Sequence, residues 1–443
     1  MRHTCIFWIT VFSAGFGCAG SPQAPSSHVA TRETTTAIAE RLAKNPSGLS
    51  SNEDAQMLRA VGPTALDLLI ADAGATPSAA QKERIDEVAQ QRDAYASHLY
   101  WYTDLEAAKR AAKTSGKPIV ALRMLGNLTD ELSCANSRFF RTALYPNKEV
   151  SAELHDRFIL YWSAERPAPT ITIDFHDGRK IERTVTGNSL HYVLDAEGRP
   201  LDAIPGLYSP HAFLQALNDS LMLADSLASL NDGARSEALR EYHRRGLAAE
   251  RARWSADFAT ARLPAQAFLV ADTSSAPNQP DMAPANLAIP IAVGKALVEA
   301  PMVNAMMPSS PPPVDPIDTV PWSVLSAARR NDTHLDSASR ALIRAKHPMD
   351  WSDATAPHAL SDSDLDHVID NFEKAMAEDT EKNELSLHAS IHAWLVAEPA
   401  IDFAALNKRV YDNLFLTPRS DPWLGLVPPG TFTGIENDGV IPR

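Results

Sequence analysis

The sequence predicts an α/β sandwich, a central sheet with flanking helices, embedded between mainly helical N- and C-terminal regions. Three observations between Lys117 and Leu217 predict it. KPIVALRML and FILYW are short apolar runs rich in branched or aromatic residues, as buried strands are. Two further pairs of strand-like runs, TITIDF with RKIERTV and HYVLD with PLDAI, flank turn sequences, Asp177-Gly178 being the stronger. Helical segments with recognisable starts and stops alternate with these runs and follow them.

Each element has its own reason. Residues 31–96 are helical and polar, with a capping-box pattern at Ser51-Asn-Glu-Asp54 and a second start at Thr76-Pro77. Thr103-Asp-Leu-Glu106 caps a helix that stops at Gly116, and Lys117-Pro118 leads into the first strand. A polar loop, GNLTDEL, follows, and Cys134 opens a helix carrying Phe139, Phe140 and Leu144. FILYW is the second strand and the two hairpins come next. Ser209 as N-cap and Pro210 in the first turn start a helical stretch to about Ala261. Its charged part, ARSEALREYHRRGLAAERARW, reads as a solvated helix with side-chain pairs one turn apart. Between Pro264 and Pro321 lie twelve of the 32 prolines, spacing that forbids long helices. Helices resume with starts at Ser337 and Ser361, and a loop-like tail carries Trp423, Leu424 and Leu426 as buried anchors. The organisation is therefore 1–17 as a signal peptide, 18–30 a tether and 31–96 a helical region. The sandwich takes 97–220, complete in its own elements; a helical extension takes 221–261, a Pro-rich connector 262–321 and a helical region 322–443.

The 97–220 segment resembles the thioredoxin-like fold, in the branch of bacterial envelope proteins that begin with an amphipathic helix and Lys-Pro. Cys134-Ala-Asn-Ser137 stands where that branch carries Cys-x-x-Cys. Asn147-Lys148-Glu149-Val150, Arg157-Phe158, Tyr192-Val-Leu-Asp195 with Gly198, and Gly206-Leu-Tyr208 follow at the family's distances. The chain departs from the family in two places. Ser137 replaces the second cysteine, and Ser189 stands at the position of the family's cis-proline. The resemblance implies the fold, and a monothiol in place of a dithiol.

The chain has 443 residues, enough for two or three domains, and a net charge of −14, which argues against nucleic acid as a partner. Its first residues have a basic start at Arg2, an apolar run from Cys5 to Phe16 and then small residues, the pattern of a secretory signal. Gly17-Cys18 resembles a lipoprotein cleavage site, which implies a lipidated Cys18. Ala19, as a non-acidic residue after that cysteine, implies the periplasmic side of an outer membrane. A soluble secreted product is the alternative. The membrane is then touched only through the N-terminal lipid, because no apolar stretch is long enough to span it. Of three cysteines, Cys134 is left as the free thiol in an oxidising compartment.

Cys134 is the first chemical candidate. At a helix N-terminus, backbone amides favour the thiolate and lower the pKa from about 8.5. Ser137, one turn on, is placed to donate to that thiolate. Such a monothiol attacks a disulfide and forms a mixed disulfide but cannot resolve it. The polar loop before it is expected to leave it near the surface. A second candidate is Glu384, His388 and His392, spaced four residues apart on one helix. His-x-x-x-His chelates zinc in some proteins, but Ala389 stands where metalloprotease motifs place glutamate, and two ligand positions are unaccounted for. Packing or surface histidines are the expectation there, with no metal and no cofactor. Two functions follow: an envelope protein exchanging thiols with a disulfide substrate, or a non-catalytic thioredoxin-like scaffold binding a protein partner.

Overall fold

The computed structural model describes residues 52–184, 187–270, 320–350, 357–424, 427 and 434–441. The expected signal, the tether with Cys18, Ser51 and most of the Pro-rich connector lie outside them.

Helices α1 (Asn52–Val61), α2 (Pro63–Ala73), α3 (Ala79–Ala89) and the single turn α4 (Ala94–Ser97) form the N-terminal region. Ser78 starts α3 by a reciprocal capping box: its hydroxyl accepts from Gln81 N–H, and its own N–H donates to Gln81 Oε1 at 2.9 Å. These helices close a small core of Leu58, Leu66, Ile85 and Val88 that meets the next unit at Tyr100 and Tyr102.

The next unit runs β1 (Trp101–Tyr102), α5 (Leu105–Ser115), β2 (Ile119–Leu125), α6 (Ala135–Phe139), a π turn (Phe140–Leu144), α7 (Lys148–Arg157) and β3 (Ile159–Arg166). The strands β4 (Thr170–Asp174) and β5 (Lys180–Thr184) then form a separate, largely exposed hairpin. The strands β6 (Ser189–Leu194) and β7 (Pro200–Pro205) return to the main sheet. Asp104, one residue after the expected Thr103, caps α5, and Gly116 ends it with φ 74°. The main sheet has the order β1-β3-β2-β6-β7. β1 and β2 run parallel to β3, while β6 is antiparallel to both β2 and β7. Val120 sits opposite Leu160 on one side and Val193 on the other. β6 and β7 are buried along their whole length, the polar Ser189, His191 and Asp202 included.

The helices α8 (Pro210–Leu227) and α9 (Asp232–Thr260) follow. They divide the expected single helix: the chain breaks after Leu227, and Asn231 caps a new start by accepting from Ala234 N–H at 3.0 Å. The C-terminal region comprises α10 (Trp322–Leu325), α11 (Ser337–Ala345), and a short pair of strands, β8 (Met349–Asp350) and β9 (His358–Ala359). α12 (Asp362–Lys382), a π turn (Asn383–His388) and α13 (Ala389–Ala397) then form one continuous rod, and α14 (Phe403–Asn413) packs after it. Asp336 caps α11, one residue before the expected Ser337, and Ser361 caps α12 as expected.

The sheet and the helices of 97–220 share their core with later elements. One continuous apolar cluster runs from Leu99 and Trp101 through Val193 and Phe213 to Ile369, Leu395, Val410 and Phe415. Buried polar contacts cross the same seam: Ser209 N–H donates to Thr380 Oγ1 at 2.9 Å and Ser339 Oγ to the Ala143 carbonyl at 2.8 Å. The boundaries near 220 and 322 therefore mark changes of composition, not of core. At the tail, Leu424 is buried but Trp423 is 47% exposed, against expectation; Leu426 lies outside the described residues.

Gly206 fixes how the rod meets the sheet. Its φ is 80°, and a Cβ there would lie 2.5 Å from Asn383 Nδ2, which donates to the Leu207 carbonyl at 2.9 Å. Only glycine allows the first residue of the π turn to reach the end of β7. That contact sets the register of the turn carrying His388.

Candidate functional site

A cavity of about 850 Å³ lies between the end of β7, α8, α9 and the π turn leading into α13. Its wall holds buried polar groups from three elements. Asp202 comes from β7, Glu250 and the half-buried Tyr242 from α9, and His388 and His392 from the rod. His243 of α9 lies directly behind, fully buried.

The hydrogen bonds fix the protonation of each ring. His243 Nε2 is 2.9 Å from the Leu201 carbonyl, which only accepts, so Nε2 carries the proton. Burial lowers the pKa of His243 to about 4, so its Nδ1 holds a lone pair. His392 Nδ1 is 2.7 Å from that lone pair and donates to it. Burial and then the charge on His388 hold His392 neutral, well below its ordinary pKa. His392 Nε2 is therefore an unprotonated acceptor turned towards Glu250 Oε1, 3.6 Å away.

His388 is the cation of the group. Its Nε2 donates to Asp202 Oδ1 at 2.8 Å, and its Nδ1 lies 3.6 Å from Glu250 Oε1. Burial alone lowers its pKa, but the Asp202 carboxylate and then Glu250 outweigh that and raise it to about 9. Asp202 also accepts from Ala203 N–H at 2.7 Å and from Tyr242 OH at 3.3 Å. Burial raises the Asp202 pKa, and the imidazolium of His388 overrides it, holding the carboxyl well below its usual range. Glu250 is different. Burial pushes it up to about 8, and its Oε2 has no hydrogen-bond partner among the described residues. Behind it, Arg253 bonds Glu384 Oε2 at 2.6 Å and reaches Glu381 at 3.4 Å. Glu384, placed with the histidines by its spacing, is thus paired with an arginine.

One glycine makes the approach of helix and rod possible. A Cβ at Gly246, in the interior of α9, would lie 2.7 Å from His392 Nε2. The helix accepts the roughly 1 kcal/mol penalty of an internal glycine, and the imidazole fills the space.

The thiol sits elsewhere and is closed. Cys134 is the N-cap of α6 and is 0% exposed, against the expectation of a surface position. It belongs to the main apolar cluster. The loop before it is pinned by the buried Arg141, whose guanidinium donates to the carbonyls of Asp130 and Glu131 at 3.1 and 3.4 Å, to Ser133 Oγ at 3.3 Å, and pairs with Asp93 at 3.3 Å. Ser137 Oγ lies 2.6 Å from Ser133 Oγ and 2.9 Å from the Cys134 carbonyl, so its hydroxyl serves the loop and the helix turn. The helix behind the thiol has only five residues before the π turn. Ser189 opens β6 and is buried.

No family model, curated protein or solved structure matches this chain.

Sequence reasoning singled out Glu384, His388 and His392, expecting packing or surface histidines, and did not consider Asp202, His243 or Glu250. Asp202 carried a legible signal: a carboxylate in the middle of an otherwise apolar strand is buried only with partners. His243, Gly246, Glu250 and Trp254 form a stripe on the buried side of α9. The charged residues around them, such as Arg244, Arg245 and Glu241, conceal that periodicity.

Proposed function

We propose that this chain is a thioredoxin-like binding scaffold of the bacterial cell envelope, whose working site is the cavity between sheet and rod and not the thiol. The fold reading is supported by the order of elements: strand β2, a Cys-x-x-Ser helix, the helix capped by Asn147, strand β3, and a hairpin running into Gly206-Leu-Tyr208. The single observation that carries the functional reading is the closure of Cys134. Thiol exchange requires in-line access of a disulfide to the sulfur, and the full burial of Cys134 in the apolar cluster leaves none. The cavity has the volume of small-molecule sites, with polar groups converging from one wall and Ala212, Met222 and Leu223 beside Gln215 and Asp219 on the other.

The test is iodoacetamide labelling of the native protein, with Cys134→Ser as control. The scaffold reading expects no labelling at Cys134 until denaturant is added. Rapid native alkylation with a midpoint near pH 7 or below restores the monothiol reading. Export and lipidation at Cys18 belong to the same proposal. Intact mass of the native product tests them: an unmodified N-terminus beyond Cys18 removes the anchor.

A further inference from the structure

Glu250, His388 and His392 bring three donor atoms within 4.8 Å of one another, and Glu250 Oε2 is buried without a hydrogen-bond partner among the described residues. We propose that these three side chains form a binding site for a divalent metal ion of the zinc class, open to the cavity. Asp202 and His243 act as positioning residues for its two imidazoles. The inference goes beyond the scaffold reading and fails separately from it, because no part of it involves Cys134.

Distances support it first. Donor atoms bound tetrahedrally at about 2.0–2.1 Å from zinc lie about 3.3–3.4 Å from each other. Glu250 Oε1 is 3.6 Å from both His388 Nδ1 and His392 Nε2. The third edge, between the two imidazoles, is within 4.8 Å, so closure on a metal draws the two rings together.

The outer bonds are those a metal site needs. A ligating histidine usually donates its other ring N–H to a carboxylate, a carbonyl or another acceptor, which fixes ring and tautomer. His388 donates Nε2–H to Asp202, which leaves Nδ1 for the metal once its proton departs. His392 donates Nδ1–H to His243, itself anchored on the Leu201 carbonyl, which leaves Nε2 as a lone pair. Charge also balances: Asp202 and Glu250 supply two carboxylates to a dication in a buried setting.

The competing set of Asp202, His243 and His392 is closed. Asp202 already accepts from His388, Ala203 N–H and Tyr242, and His243 Nδ1 is taken by His392. Imidazole and carboxylate together suit zinc better than magnesium or calcium. With three protein ligands and a cavity in front, one coordination position is left to water or to a ligand.

The purified full chain, stripped with a chelator and titrated with Zn²⁺ alone, tests the proposal. It predicts one tight equivalent and a Zn²⁺-dependent rise in Tm. Glu250→Gln should weaken binding by more than 100-fold, and Asp202→Asn by about 10–100-fold, as loss of an outer partner does. Cys134→Ser should leave binding unchanged. If Glu250→Gln fails to fold, the Co²⁺ spectrum of the unsubstituted chain decides. Co²⁺ gives a variant-free readout, predicted to show visible d–d bands with no thiolate charge-transfer band. Absence of stoichiometric Zn²⁺ binding, binding indifferent to Glu250→Gln, or a thiolate band with Co²⁺ overturns it.

Discussion

His388 Nε2 donates to Asp202 Oδ1 at 2.8 Å, joining the helical rod to the sheet across 186 residues of sequence. The bond holds a buried imidazolium against a buried carboxylate. Burial alone would drive both groups neutral, so each depends on the other for its charge.

Asp202→Asn should therefore act on His388 before anything else. With the carboxylate gone, burial wins and the His388 pKa, read by NMR, should fall from about 9 to below its ordinary 6.5. Removing one partner of a buried pair also costs about 3–5 kcal/mol of stability. The sign is testable by pH. A raised imidazole pKa gives stability that is full below pH 6.5 and is lost as pH rises through about 9. The variant should lack that alkaline decline. An unchanged His388 titration would contradict the pairing.

His191 should govern part of the acid side. It is fully buried among Phe140, Tyr145 and Phe213, with Tyr145 Oη 2.7 Å from its Nε2, and burial lowers its pKa to about 3. A depressed imidazole contributes stability that is present above pH 6.5 and lost as pH falls towards 3. At pH 5 the loss is about 2 kcal/mol, from roughly 1.4 kcal/mol per unit. Comparing denaturant midpoints of the native chain and His191→Phe at pH 7 and 5 checks this. The variant should start less stable, because Tyr145 loses its partner, and should change less with pH. Equal pH dependence in both would contradict the assignment.

The fragment 97–220 should not melt cooperatively alone, whereas the full chain should unfold its sheet and C-terminal helices in one transition. Besides the shared apolar cluster, Tyr192 OH donates to Asn407 at 3.3 Å, and Glu165 accepts from Arg123, Asn407 and Arg419. Isolating the fragment leaves these groups exposed or unpaired. Calorimetry of both decides it; a sharp transition in the fragment restores the independent domain.

The contrast between strands and seam explains what was legible. The strands at 119–125, 159–166, 189–194 and 200–205 were readable because apolar runs and turn residues are local properties. The helix starts at Ser209 and Ser361 were readable for the same reason. The pinning of the 126–133 loop was not, because it depends on Arg141 finding acceptors earlier in the chain. Neither was the site, whose five groups come from positions 202, 243, 250, 388 and 392 and meet only when the rod docks on β7. Gly206 and Gly246 make that docking possible, and nothing in their local sequence announces it.

The central claim is that the chemistry of this chain sits at Glu250, His388 and His392 and not at Cys134. Anomalous diffraction at the zinc edge, from crystals of the full chain grown with Zn²⁺, tests it most directly. The account predicts one strong peak about 2 Å from Glu250, His388 and His392, with Asp202 and His243 retaining their bonds to the two rings. A peak on Cys134, or none between those three side chains, would contradict it.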